Sequence, residues 1–200
     1  MGEPEQRPEI SLEALKAGDR AEFARLVDKY SSSIYHLALK ILNDPQDAED
    51  ILQETFVKAF QHLDTFEGRS SLSTWFYRIA VNEALMLVRK RQPETVSIDE
   101  EIETEEGDLE PRQIVDWHNL PEDDLLSGEV QRMLDAAIQR LPQTLRVVFL
   151  LRDVQDLSVK ETALALNLSE TAVKTRLLRA RLRLREYLSA YFSERKPSAH

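Results

Sequence analysis

The sequence contains no cysteine. That excludes disulfides and thiolate metal sites and fits a reducing compartment, the cytoplasm. Glycine is scarce, with five residues in 200, and aromatic residues make up 7%. Many-stranded sheets need turn glycines and β-branched or aromatic runs, so the shortage predicts an all-α chain. The four histidines, His36, His62, His118 and His200, lie far apart and make no metal-ligand spacing. No apolar run approaches the ~20 residues that span a bilayer. Met1–Ile10 is polar and proline-bearing, unlike a secretory signal. There is no glycine-rich phosphate loop and no activated nucleophile. The expectation is therefore a protein without catalytic residues, metal or cofactor, and with no membrane insertion of its own.

What is present is charge, unevenly placed. The net charge is −10, which taken alone argues against nucleic acid. Residues 94–129, however, hold fourteen acidic residues and one basic, Arg112, whereas residues 141–196 hold eleven basic and six acidic. Residues 1–93 are near balance, with fifteen acidic and twelve basic. The asymmetry is more informative than the sum.

Capping signals and apolar spacing divide the chain. Ser11 caps a short helix that stops at Gly18. Asp19 and Glu22 have capping-box spacing and start a helix through about Tyr30, and a helical stripe continues through Ile34, Leu37, Ala38, Ile41 and Leu42. Asp44 and Pro45 open another helix, to about Leu63. Gly68 marks a loop, and Ser71 or Ser73 caps a long helix to about Arg91. Periodicity then fades through an acidic, proline-bearing stretch, and the stripe resumes at Val130. The spacing predicts two helical domains, 10–92 and 129–193, joined by an acidic flexible linker, 93–128.

Near the C-terminus Ser158 and Glu161 form a capping box, Asn167 sits where a tight turn needs positive φ, and Ser169 caps a second helix. On that helix Val173, Leu177, Ala180, Leu184 and Leu188 share a core face. Thr171, Lys174, Thr175, Leu178 and Arg179 share another, flanked by Arg176, Arg181, Arg183 and Arg185. A basic face of short hydroxyls suits the major groove of duplex DNA: flanking arginines hold phosphates, while Lys174, Thr175 and Arg179 reach base edges. The competing reading is a basic helix docked to an acidic partner. Leu178 and Leu182, outside the core stripe, require contact with either DNA or protein.

In the first domain Trp75, Arg78, Asn82, Met86 and Arg89 share one side of a helix. An indole beside a guanidinium and an amide suits unstacked bases. The loop Phe66-Glu67-Gly68-Arg69-Ser70-Ser71 is placed to close over an extruded base. The plainer alternative is a half-buried Trp75 and solvated arginines. The preceding helix is apolar along Ala48, Leu52, Phe56, Ala59 and Leu63, and carries Asp47, Asp50, Glu54, Lys58 and Gln61 opposite. That side is either solvated or a docking surface for a basic partner.

Taken in order, Asp47 to Phe60, Phe66 to Ser70, Thr74 to Asn82, Leu141-Pro142 and Leu157 to Arg185 resemble the extracytoplasmic-function sigma factors of the sigma-70 family, over about three quarters of the chain. The resemblance implies a two-domain promoter-specificity subunit of bacterial RNA polymerase. By it, Asp47, Asp50, Gln53, Glu54 and Lys58 grip the β′ clamp helices of the core enzyme, and the second domain meets the β flap. Phe66, Gly68, Arg69, Ser70, Ser71, Trp75, Arg78 and Asn82 take single-stranded DNA of the −10 element. Thr171, Lys174, Thr175, Arg176, Leu178, Arg179 and Arg181 read the duplex −35 element. Lys174 stands where members often carry arginine; lysine keeps the charge and loses the planar fork. The acidic segment, with Trp117 and Leu120 as its anchors, resembles the family's interdomain linker, and an anti-sigma protein is an expected partner. The rival reading is a free-standing helix-turn-helix regulator, which leaves the first domain idle; an enzyme is a distant third.

Overall fold

A computed structural model describes residues 10–91 and 128–194. Residues 93–127 of the expected linker, Trp117 and Leu120 among them, lie outside the described residues. Helices carry both described parts, and no strand occurs in either.

The N-terminal part is built from α1 (Leu12–Lys16), α2 (Arg20–Leu42), α3 (Pro45–His62) and α4 (Leu72–Arg91). The sequence places the boundaries through caps. Asp19 accepts from the Ala21 and Glu22 amides, and Asp44 from those of Gln46 and Asp47. Asn43 ends α2 in the left-handed region, at φ 57°. Ser71 Oγ accepts from the Thr74 amide at 3.1 Å, which resolves the choice of cap for α4. The expected box at α2 is not reciprocal: Glu22 turns from Asp19 to the Ser11 amide, at 2.6 Å, and so ties α1 to α2. The α2 stripe does not break at Tyr30 but runs on as one helix. Helices α2, α3 and α4 pack on one another around Leu26, Ile34, Leu37, Phe56, Phe76 and Val81. Phe76 meets the rings of Phe56 and Tyr30 at 5.6 and 5.4 Å between centroids. Each such side chain removed from water contributes about 1.5–3 kcal/mol.

The C-terminal part comprises α5 (Gly128–Gln139), α6 (Gln143–Phe149), α7 (Val159–Leu166) and α8 (Glu170–Glu194). After α6 the chain widens into a π turn, Leu150–Val154, where the Gln155 amide bonds the Leu150 carbonyl at 2.9 Å. The helix is therefore α-helical only to Phe149. The Ser158–Glu161 capping box is present with both bonds, and Asn167 has φ 54°. Val173, Leu177, Ala180, Leu184 and Leu188 are all buried, as the wheel requires.

The two parts do not stand apart. α7 lies along α4, α5 and α6 touch α2, and the buried apolar residues of both halves form one continuous cluster.

Candidate nucleic-acid interface

The loop before α4 and the first turns of α4 make one side of a groove of about 480 Å³. Arg69, Ser70, Trp75 and Arg78 line it. Phe66 lines it as well, but it is only 6% exposed and packs on Trp75 at 5.2 Å. Its ring is therefore the anchor of the loop, and little of it is offered to a ligand. Gly68, at φ 72°, makes the turn that returns the chain to Ser71, and a Cβ there would meet nothing within 4 Å. The positive φ, not crowding, is what glycine answers.

Trp75 is half-buried, held between Phe66 and Phe76. The packing reading thus holds for one face of the indole, and the rest borders the groove. Arg78, Asn82, Met86 and Arg89 continue outward along α4, all exposed. Arg69 pairs with Glu67 at 2.9 Å on the exposed loop, a contact worth little in water. The opposite wall is the part that the sequence reading missed. It comes from α7, through Leu164 and Ala165. Leu164 is 48% exposed, an apolar residue at a position that capping and periodicity leave without a role.

On α3 the structure separates residues that the sequence groups together. Asp50, Gln53 and Glu54 are exposed. Asp47 is buried, and both its oxygens are held by the guanidinium of Arg91 at the far end of α4, one of them at 2.7 Å. It closes the α3–α4 pair and is not part of an outward docking face. Lys58 binds Glu83 at 2.6 Å and Glu54 at 3.3 Å. These contacts, Glu83 first, raise its pKa and keep it engaged within the bundle. Beside these three exposed polar residues stand Val57 and Phe60, 49% and 55% exposed. A helical wheel puts Val57 with Gln53 and Glu54, so this apolar centre was readable from spacing.

On α8, Thr171, Lys174 and Thr175 are exposed, and Leu178 and Arg179 half-buried. Arg176 is 7% exposed, which removes it from the outer face. Arg181 is drawn to Asp153 of the π turn by two bonds of 2.7 and 2.8 Å. Two of the arginines expected to hold phosphate thus serve the fold, while Arg183 and Arg185 remain exposed.

The family Sigma-70 region 2 matches residues 26–94, and Sigma-70 region 4 matches residues 131–184. The ECF RNA polymerase sigma factor SigW of Bacillus subtilis (strain 168) is 37% identical over 88% of this chain and 94% of its own. The chain belongs to the ECF sigma factors. The RNA polymerase sigma-H factor of Pseudomonas aeruginosa is 35% identical to this sigma factor, over 85% of this chain and 88% of its own. Among solved structures, the sigma factor RpoE of Bartonella quintana, in complex with the anti-sigma factor NepR, superposes with a TM-score of 0.60 at 25% identity, covering 84% of this sigma factor and 97% of that chain. CnrH, solved with the cytosolic domain of CnrY, has the same fold, at TM-score 0.63, 24% identity and coverage of 90% and 95%. In this sigma factor, then, the α4 side of the groove lies within the region 2 match, and its α7 wall, with α8 apart from the end of that helix, within that of region 4. No helix among the described residues is long and apolar enough to cross a membrane, and no group of side chains there has the make-up of a metal site.

Proposed function

We propose that this sigma factor binds core RNA polymerase and directs promoter-specific initiation, with each half reading one promoter element. The observation that carries the reading is the presence, in one chain and in family order, of a groove edged by Trp75 and Arg78 and a helix presenting Lys174 and Thr175. The first suits unpaired bases and the second a major groove. Asp50, Gln53 and Glu54, with Val57 and Phe60 among them, form the docking face for the polymerase clamp. Gly68 to Ser71, Trp75, Arg78 and Asn82 take the melted −10 strand, over the anchor made by Phe66. Thr171, Lys174, Thr175, Leu178 and Arg179 face the −35 duplex. Residues 10–92 and 129–193 act as the two reading units. The protein works in the cytoplasm, has no catalytic activity of its own, and is held in check by an anti-sigma protein, as the Bartonella quintana relative is seen with NepR.

Two sites on one polymerase raise each other's effective concentration, so modest single contacts suffice. Trapping an unstacked base offsets the few kcal/mol of unpairing. The experiment is reconstitution: purified chain, core polymerase and a library of promoter fragments. Defined transcripts should appear only when the chain is added. Tight binding to duplex DNA alone, with no association with core enzyme, would instead make it a free-standing helix-turn-helix regulator.

A further inference from the structure

Between α3 and α4 one ammonium meets two carboxylates. Glu54 and Lys58 stand one turn apart on α3, the spacing at which a glutamate pairs with a following lysine. Left to α3 alone, that pair would be closed and its charge cancelled. α4 brings Glu83 to the same ammonium. Lys58 Nζ lies 2.6 Å from Glu83 Oε2 and 3.3 Å from Glu54 Oε1. The Glu83 side chain is 16% exposed and that of Glu54 48%, so water screens the Glu83 contact less. The hydrogen bond to Glu83 is also the first cause of the raised Lys58 pKa. Two carboxylates and one ammonium leave one negative charge. The longer contact puts it at Glu54, on the outer side of α3 with Asp50 and Gln53.

We infer that Glu83 is a positioning residue for core polymerase: by holding Lys58 within the bundle, it leaves the Glu54 carboxylate available to a basic surface of that partner. This rests on the reading of α3 as the docking face and extends it to a residue on another helix. With Glu83 in place, an incoming cation displaces Lys58 from Glu54 at small loss, because Lys58 keeps its shorter bond. Without Glu83 the same cation must take from Lys58 the one carboxylate left to it. The charge of the trio then follows by counting. Glu83→Gln keeps the shape and lets Lys58 and Glu54 cancel, with no net charge. Lys58→Met removes the cation and leaves two negative charges. The double variant Lys58→Met/Glu83→Gln leaves one, as in the unaltered chain, and strands neither group.

Binding of the full chain to core polymerase, read by fluorescence anisotropy over a salt series, separates these states. At low salt Glu83→Gln should weaken binding about three- to tenfold, the span of couplings within one ion-pair network. The gap should narrow as salt rises. Lys58→Met should tighten binding, chiefly through faster association, and the double variant should return to the unaltered value. Damage to the α3–α4 packing would instead weaken both single variants and the double, and that result overturns the inference. An unchanged affinity in Glu83→Gln overturns it as well. Glu54→Gln checks the docking face itself. If it has no effect on core binding, the reading of α3 falls; if it weakens binding while Glu83→Gln does not, this inference alone falls.

Discussion

Helices α4 and α8 are the two long carriers of candidate DNA contacts, and they use polar side chains differently. Along α4 the labour is divided by face: Phe76, Ala80, Val81 and Ala84 are buried, while Arg78, Asn82, Met86 and Arg89 stand outside. Along α8 that division fails. Arg176 is buried and Arg181 reaches back to Asp153, so part of a basic face is consumed in holding the unit together. Counting cations on a wheel therefore overstates the reading surface of α8 and not that of α4. The physical difference is reach. A guanidinium at the edge of the face bends to a carboxylate within its length on a neighbouring element: Arg181 does so to Asp153, whereas on α4 it is Arg91, outside the set Arg78, Asn82, Met86 and Arg89, that does so to Asp47.

The sharpest contrast is between adjacent residues of α4. Phe76→Ala should cost about 3–5 kcal/mol in denaturant unfolding, as a fully buried ring leaves a cavity. Trp75→Ala should cost less than that and should chiefly weaken single-stranded binding; equal destabilisation by both would erase the two-faced description of α4. On α8, Arg181→Ala should destabilise the chain by about 2 kcal/mol, since it strands the Asp153 carboxylate, only 13% exposed. Asp153→Asn should destabilise the chain in the same direction, since it removes the charge that Arg181 meets. If Arg181→Ala spares stability and weakens all DNA equally, the residue returns to the phosphate set.

Lys174→Ala should leave unfolding unchanged and weaken −35 recognition by about 1–3 kcal/mol if it contacts a base; a loss equal on every sequence would assign it to the backbone. Asn82→Ala should spare polymerase binding and lower promoter opening, read by permanganate reactivity of the bubble. Unaltered reactivity would take Asn82 out of the strand-capturing set. The smallest effect concerns acid. Hydrogen bonds from Ser158, then Thr74, hold the Glu161 carboxyl below its usual range. Its contribution is complete above the ordinary glutamate value, about 4.3, and is lost as pH falls through the lower folded value. Glu161→Gln should flatten that part of the acid-unfolding curve.

Much of the fold is written locally, and so it was readable. Asp44-Pro45, Ser158 with Glu161, and Asn167 each act within four residues, and the stripe Val173 to Leu188 needs only the helical period. What escaped depends on partners far along the chain. Asp47 looks like one more carboxylate on an acidic helix until α4 brings Arg91 to it, 44 positions later. Glu161 reads as a capping residue, and nothing near it tells of Thr74. Burial of Arg176 likewise follows from how α8 lies against its neighbours. The pattern of side chains on one helix gives its faces; which face another element will claim is decided by packing.

The π turn at Leu150–Val154 has a consequence for chain length. It holds one residue more than an α turn would, and everything beyond it is set by that surplus. Removing a single residue from the turn would advance Ser158 and all that follows by about 100° of helical rotation. Asp153 would swing off Arg181, and α7 would no longer present Glu161 to the start of α4. A one-residue deletion there, without loss of any named contact residue, should unlock the two halves and loosen the reading helix together.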